Sequence, residues 1–493
     1  MTSKQALDNL QQTFTGDQVA LPGTEAYNRL NYEYLSIRQS EYTPSAIFEP
    51  NSAEDVAQFL RIIKANEAKF AIRGAGQQPL EACSNIDDGI TLSLSRLADI
   101  EVKSDEGIVA VGAGATWGPV YEKVQAAGLG VGGSRSAKGG VGGLALSGGL
   151  SFFSTREGFI CDNVVNLQVV LASGEIIQAN ATDNSDLWRA LKGGGNNFGV
   201  VTRFDLRTFP QGSFWGGFIF YAVAGDNYSR QVEAMVNELR KPDASDETHI
   251  MVNLGYSKQF GGSMMGLNEI YYTGPDAASV YGSKGETTRK ASVPPMLEPF
   301  TSVENQVDSL NSLRIMTLIE GATEHAVASQ EHVRCAYMNC TVRADKDTLL
   351  AAAEIYSKAI EPLKPVEGIT LCLTLNGYPS SILRRTVELG GNVLGLDARE
   401  SLVSVLLLTY WKNKEDDEKI IPVLQKALGD IEKDAEHRGH KVPYVYLNYT
   451  SSFQDPFTSY GEENKRFLQE VSRRYDPRGL FQSSVPGGFK LLS

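Results

Sequence analysis

The chain has 493 residues, more than one hydrophobic core usually holds, so two domains or one domain with a large insertion are expected. Its apolar (42%) and charged (21%) fractions are those of a folded globular protein and exclude bulk disorder. The formal charge of −13 leaves no basic surplus to neutralise a nucleic-acid backbone or to dock on anionic lipid. A small organic molecule is therefore the expected ligand.

In chain order, the opening MTSKQALDNLQQTF has no basic n-region followed by an apolar h-region, so it does not read as a secretory signal. SAIF (45–48) reads as extended, and Ser52 caps a helix with Glu54 and Asp55 in its first turn. Val56, Phe59, Leu60 and Ile63 then recur at helical spacing and give that helix one buried face. The chain turns at Lys69 into the strand FAIR (70–73), completing a βαβ unit. Further strands are expected at ITLSL (90–94) and IVAVG (108–112), with a helix through WGPVYEKVQAAG. The segment VGGSRSAKGGVGGLALSGGLSFF (131–153) interleaves Val141, Leu144, Leu146 and Leu150 with its glycines, so it reads as buried backbone rather than a flexible linker. VVNLQVVLASGEIIQAN (164–180) reads as a hairpin turned at Ser173-Gly174, followed by a helix, the stop GGGNNFG, and a strand.

From about residue 211 the texture changes. Strand-like runs (FIFYAV, HIMVNLGY, NEIYYTG, RCAYMNCTV, ITLCLTLNGY, VSVLLLTYW) alternate with longer helical ones, which predicts an antiparallel sheet with helices on one face. The longest apolar run, 403–411, is too short to cross a bilayer. Near the end, YVYLNY reads as a strand and ENKRFLQEVSRRY as a helix stopped by Asp476-Pro477. The five cysteines are scattered without metal-ligand spacing, so no metal site is expected, and a reduced intracellular, cytoplasmic location is the default. Cys335 and Cys340 fall on opposite faces of one strand.

Three glycine clusters (74–76, 139–149, 193–199) carry the functional signal. IRGAGQQP has Pro79 where a dinucleotide fingerprint needs glycine, and GGGNNFG lacks the Lys-Ser/Thr of a P-loop. Taken singly, each cluster reads as tight turns and close packing. Together they permit backbone N–H groups to approach a pyrophosphate. The order IRGAGQQP, VGAGATWG, GGVGGLALSGGLSFFSTREGFICDNVV, ALKGGGNNFGVVTRFDL and a terminal YLNY…YDPRGLFQ resembles the vanillyl-alcohol-oxidase class of FAD enzymes. Within that class it is most similar to fungal members of the berberine-bridge-enzyme-like group. The resemblance is strong over 40–210 and good over 444–490. It is loose between them, apart from GGNVLGLD (390–397).

The resemblance implies an α+β protein. An FAD-binding domain of two α/β subdomains (the PCMH type) is contributed by residues 1–210, a substrate domain with an antiparallel sheet and helices spans 211–440, and residues 441–493 complete the FAD domain. It implies that the loop Arg73, Gly74, Ala75, Gly76, Gln77 and Gln78 wraps the FAD pyrophosphate. Ser136, Gly140, Gly142, Gly143, Leu146, Gly148 and Gly149 are implied to line the ribityl chain and flavin, with backbone contacts from Gly199 and Val200. Group members commonly carry a flavin-linked histidine at the position of Gln77 and a cysteine at that of Ser136. A Gln amide has no nucleophilic nitrogen, and none of the five histidines lies in the FAD-like part, so noncovalent FAD is expected. The flavin potential should then be lower, favouring activated allylic or benzylic C–H donors. The terminal YxNY supplies Tyr446, Asn448 and Tyr449. Strand alternation would turn Tyr446 and Asn448 toward the flavin and leave Tyr449 as a candidate base, although its phenol would need a nearby cation or donor. Tyr446 is the other candidate catalytic tyrosine.

In the looser middle, Tyr410 and Trp411 could line an aromatic pocket or belong to core, and Arg314, Glu320 and His325 are polar residues without a motif. The expected function is an FAD-dependent oxidoreductase that oxidises a small molecule, in specialised metabolism, by hydride transfer to flavin N5. The alternatives are a non-redox cyclase that retains FAD as a scaffold and orients a reactive polyene, and a flavin-free binding protein.

Overall fold

A computed structural model describes residues 2–282, 292–330, 332–397 and 399–492. The described strands form three sheets. The first contains β1 (Val19–Ala20), β2 (Ala46–Phe48), β3 (Phe70–Arg73) and β4 (Ile90–Ser93), in the order β1-β2-β4-β3. β2, β4 and β3 run parallel, as a βαβ crossover requires. That crossover is the helix Ala53–Ala65, whose Ser52 side chain accepts from the Asp55 N–H at 3.2 Å. Its Phe59 stacks on Phe48 at 5.2 Å and meets Phe70 edge-on at 5.5 Å. Removing that ring would cost about 3–5 kcal/mol, because the residue is fully buried.

The second sheet is antiparallel. It holds β5 (Ile100–Lys103), β6 (Ile108–Gly112), β7 (Leu129–Val131), β8 (Val164–Val170), β9 (Ile176–Asn180) and β10 (Val200–Pro210). β8 and β9 pair as the expected hairpin, with Gly174 at φ +82° making the turn.

The third sheet has eight strands, all antiparallel. β11 (Phe214–Ala222), β12 (Thr248–Ser257), β13 (Met264–Tyr272), β14 (Arg314–Met316), β15 (Arg334–Arg343), β16 (Thr370–Tyr378), β17 (Leu402–Trp411) and β18 (Lys441–Val442) lie in the order β14-β11-β13-β12-β16-β17-β15-β18. The helices Asn227–Arg240, Lys346–Ala359 and Asp417–His437 pack on it and on one another, covering one face. Side chains of period two divide the sheet. Val252, Leu373, Val403 and Leu407 are fully buried, whereas Met251, Glu269, Thr374, Tyr337, Leu406, Leu408 and Tyr410 line a cavity on the opposite side.

The last stretch returns to the first two sheets. Phe481 meets Phe70 at 6.3 Å, the Phe70 N–H donates to the Ser484 carbonyl at 2.8 Å, and the helix Glu462–Tyr475 packs on Ser185–Leu191. YVYLNY is not a strand. Residues Leu447–Tyr449 form a single 3-10 turn, and the Tyr446 main chain is held instead by Asn339, whose side chain accepts from its N–H at 2.9 Å and donates to its carbonyl at 3.0 Å. The alternation expected for Tyr446, Asn448 and Tyr449 therefore does not apply.

Among the described residues no helix is long and apolar enough to cross a membrane. Cys335 and Cys340 do fall on opposite faces of β15, in separate apolar clusters.

Candidate active site

A cavity of about 440 Å³ opens where the three sheets meet. Its walls include the loop after β3, residues 134–147, residues 195–201 into the start of β10, the open face of the third sheet, and the turn 446–449.

The loop after β3 supplies main chain. Gly76 sits at φ +66°, and a Cβ there would lie 2.8 Å from the Tyr34 ring, so this turn admits only glycine comfortably. Among the described residues, the N–H groups of Ala75, Gly76, Gln77 and Gln78 donate to no protein acceptor. Successive open amides of this kind form a nest for an anion. Gly74 and Gly143 stand beside this loop with ordinary φ values. A Cβ on Gly143 would meet no atom within 4 Å, and one on Gly74 would come no nearer than 3.7 Å. Nothing in the protein requires glycine at either place, in contrast to Gly114, where a Cβ would lie 1.8 Å from the Leu94 carbonyl oxygen. Bare backbone facing an open cradle, next to unpaired amides, fits a flat group with a pyrophosphate such as FAD.

Fifteen of the residues singled out from the sequence line this cavity: Gly74, Ala75, Gly76, Gln77, Gln78, Ser136, Gly140, Gly142, Gly143, Leu146, Gly199, Val200, Tyr446, Asn448 and Tyr449. Three do not. The Arg73 guanidinium turns away, lying 4.3 Å over the Tyr34 ring and donating to the Glu33 carbonyl at 2.7 Å and to that of Leu30. Gly148, at φ +100°, passes beneath the Tyr446 ring, and Gly149, at φ +80°, abuts Ile160. Both shape the wall from behind. Gln77 donates weakly to the Ala75 carbonyl at 3.4 Å, and the Ser136 N–H donates to the Ser134 hydroxyl at 3.0 Å.

The turn at the C-terminal end puts Tyr446 and Tyr449 edge to face, 4.8 Å apart, and Asn448 donates to the Ser147 carbonyl at 2.9 Å. Burial pushes the Tyr446 hydroxyl far above the ordinary phenol range. Tyr449 has a different neighbour: Arg135 donates from Nη2 to its hydroxyl oxygen at 2.6 Å. The other Arg135 nitrogen lies 3.2 Å from His249 Nε2 and also contacts the Met251 sulfur. Burial opposes the Arg135 charge, but Tyr449 and Glu269 outweigh it and hold the proton more tightly than usual.

Opposite stand groups that the sequence did not single out as a site. Glu269, on β13, accepts from Asn253 Nδ2 at 3.0 Å, and its second oxygen is 3.6 Å from His325 Nδ1. Burial raises its carboxyl to about 7, with Arg135 pulling the other way. His325 shares a hydrogen bond with the Tyr271 hydroxyl at 2.8 Å, and burial and Arg135 lower it to about 3, so it is neutral. Burial and Arg135 likewise hold His249 well below the ordinary histidine value. A carboxylate inside the apolar run MMGLNEIYY was the available signal for Glu269. Arg135 had only its place beside Ser136.

The remaining middle-region residues divide clearly. Tyr410 lines the cavity and shares a hydrogen bond with the Tyr337 hydroxyl at 3.2 Å. Trp411 is core, donating to Asp417 at 2.7 Å. Glu320 caps the helix Leu318–Ala328 through Thr317, and Arg314 pairs with Glu324 at 3.0 Å.

Residues 44–180 match the family model described as FAD binding domain. The chain is 32% identical to the FAD-dependent monooxygenase tpcD of Cochliobolus heterostrophus over 463 residues, 92% of this chain and 86% of that protein. It is 30% identical to the FAD-dependent monooxygenase FUP4 of Fusarium proliferatum over 495 residues, 99% of this chain and 92% of the relative. Among solved structures, the carbohydrate oxidase from Microdochium nivale superposes with a TM-score of 0.78 at 20% identity, covering 99% of this chain and 100% of its own, which shows a shared fold. A shared fold, a matched FAD domain and full-length relatives place the chain: it belongs to the FAD-dependent oxidoreductases of the vanillyl-alcohol-oxidase class, in the berberine-bridge-enzyme-like group.

Proposed function

We propose that the protein oxidises a small organic molecule in specialised metabolism, with FAD held noncovalently and Tyr449 taking the substrate proton. FAD, when bound, supplies the hydride acceptor. The amides of Ala75, Gly76, Gln77 and Gln78 would hold its pyrophosphate, and Gly74 and Gly143 would leave room for its body.

The observation that carries this reading is the 2.6 Å contact from Arg135 to the Tyr449 hydroxyl. Proton transfer from a substrate oxygen to a phenolate leaves the system's charge on these two oxygens in turn. The guanidinium fixed at the phenol oxygen places a positive charge and a hydrogen-bond donor beside the atom that would take the proton. Tyr446 lacks such a partner and is buried in its neutral state, so it serves as a wall rather than a base.

The side chains at the two positions where the resemblance places covalent anchors support noncovalent attachment. Gln77 and Ser136 are poor nucleophiles, and burial pushes the Cys83 thiol up to about 11, keeping it from acting as a thiolate. Acid precipitation should therefore release FAD into the supernatant, and a yellow pellet would overturn this part.

The catalytic part is tested by anaerobic mixing with a panel of benzylic and allylic alcohols. Bleaching of the yellow band by at least one is expected, with Tyr449→Phe slowing it about 10²- to 10⁴-fold and Tyr446→Phe having a small effect. Equal rates in wild type and Tyr449→Phe would refute the base. Turnover of a polyene with an unchanged flavin band would support the non-redox cyclase instead, and a colourless protein the flavin-free binder.

A further inference from the structure

On the cavity-lining face of the third sheet, one carboxylate oxygen accepts no hydrogen bond from the described residues. Glu269 Oε1 is occupied by Asn253, but Oε2 stands 3.6 Å from the nearest imidazole nitrogen, beyond hydrogen-bond reach. That imidazole, His325, is already engaged through its other nitrogen with Tyr271. The Glu269 side chain keeps 13% exposure, and what it is exposed to is the cavity.

The surroundings restrict what that oxygen can receive. Met251, Leu406 and Leu408 give the sheet wall an apolar surface. Its other polar groups are paired with one another: Tyr337 with Tyr410 at 3.2 Å, and Thr374 with Asn253 at 2.5 Å. A ligand rich in hydroxyls would find few open partners, and each one left unpaired costs about 1–3 kcal/mol. Arg135 lies in the same enclosure and repels a cationic head.

We propose that Glu269 determines specificity by accepting a hydrogen bond from a hydroxyl of an uncharged, largely apolar ring compound, so that the substrate class is an aromatic or polyunsaturated alcohol or phenol rather than an oligosaccharide or an amine. The proposal rests on the reading of this cavity as the substrate site. It adds the wall opposite Tyr449 as the feature that chooses the molecule and fixes which end points away from the base.

The test is calorimetric titration of the FAD-loaded protein with four probes: 1-naphthol, its methyl ether, 1-naphthylmethylamine and cellobiose. The first two share the ring system; the ether lacks the donor and carries one more methyl group, so the Glu269→Leu comparison below, in which only the acceptor is lost, separates the hydrogen bond from size. At a pH well above 7, where the Glu269 carboxyl is ionised and can only accept, wild type should bind naphthol about tenfold or more tightly than the ether, equivalent to one hydrogen bond, and should bind the amine and cellobiose more weakly than naphthol. Glu269→Leu should erase the preference for naphthol over the ether while keeping the ether's affinity. Glu269→Gln, which still offers a carbonyl oxygen, should retain part of it. Flavin content equal to wild type checks that both variants fold.

An undiminished preference in Glu269→Leu would overturn the assignment. So would tighter binding of the amine or cellobiose, or no preference in wild type. None of these readings involves turnover, so failure of the Tyr449 base would leave them intact, and their failure would leave that base standing.

Discussion

Gly143→Ala tests whether the glycine cradle exists for the protein or for its ligand. Gly143 lies in the short helix Val141–Ala145 at an ordinary φ, and a Cβ added there meets no protein atom within 4 Å. By helix propensity alone, alanine should stabilise the apoprotein by about 0.5–1 kcal/mol. The same methyl group would project into the cavity. If the space is filled by FAD, the overpacking should cost about 1–3 kcal/mol, or roughly 5- to 150-fold in Kd. The two effects have opposite signs, which no general loss of structure can imitate. Gly74→Ala, whose Cβ stays 3.7 Å from the Ala113 carbonyl oxygen, should also weaken FAD without unfolding the chain. Gly114→Ala is the contrasting case, because a Cβ 1.8 Å from a backbone oxygen forces the main chain apart. Thermal melts of flavin-stripped protein and FAD titration by fluorescence quenching measure both sides. A lower apoprotein melting temperature for Gly143→Ala, or wild-type FAD affinity in both cradle variants, would refute the reasoning.

Arg135→Met should keep the flavin but slow its anaerobic reduction by an alcohol substrate about 10²-fold, since it removes the cation at the Tyr449 oxygen; Arg135→Lys should recover part of the rate in the same stopped-flow assay. Glu269, whose carboxyl is raised from 4.5 to about 7 by burial, binds its proton more tightly folded than unfolded, so it favours the fold most below pH 4.5 and loses that contribution as pH rises through 7. Glu269→Gln should therefore gain on wild type by about 3 kcal/mol between those values, seen in urea titrations at stepped pH. The groups facing that carboxyl are Arg135, His325, Glu324 and Asn253. His325 and His249 act oppositely: their folded values are depressed, so their contribution is complete above pH 6.5 and declines as pH falls below it. Arg334, which is almost fully buried, donates to Glu41 at 2.6 Å and to Asp417 at 2.5 Å, tying β15 to the N-terminal segment. Arg334→Leu should lower the urea midpoint by an amount equivalent to about 3 kcal/mol, with Asp417→Asn costing less.

The glycine turns and the elements around them were legible because their requirements are local. An open amide nest and a bare cradle need glycine at fixed spacing, and glycine is visible in a sequence. The helix 53–65, the hairpin at Gly174 and the strands 70–73 and 108–112 follow from capping, turn and alternation signals confined to a few residues. YVYLNY was misread for the opposite reason. Its tyrosines favour a strand, but the Asn339 side chain, from a strand 107 positions away, takes both the N–H and the carbonyl of Tyr446 in place of a ladder partner. The resemblance puts Arg73 in the cofactor loop, whereas the Tyr34 ring and two distant carbonyls claim its guanidinium. Arg135, Glu269 and His325 become a cluster only when β13, the helix Leu318–Ala328 and the loop at 135 converge, and no short window of sequence contains that meeting.

The division also explains how such a scaffold can change substrates without losing its cofactor. On the proposed reading, Gly74, Gly143 and the amides of 75–78 would hold FAD through main chain, so side-chain replacement elsewhere leaves them in place. The wall proposed for the substrate is one face of an antiparallel sheet whose other face carries core, and period two separates the two faces residue by residue. Met251, Glu269, Thr374 and Leu408 can vary while Val252, Ile270, Leu373 and Leu407 keep the packing. Arg135 is the exception. It leaves the cofactor-side loop, crosses to Met251 and His249 on the sheet, and holds Tyr449, so it bears on both halves at once. Replacement on the wall should alter which molecule binds, whereas replacement at Arg135 should alter how fast any bound molecule reacts.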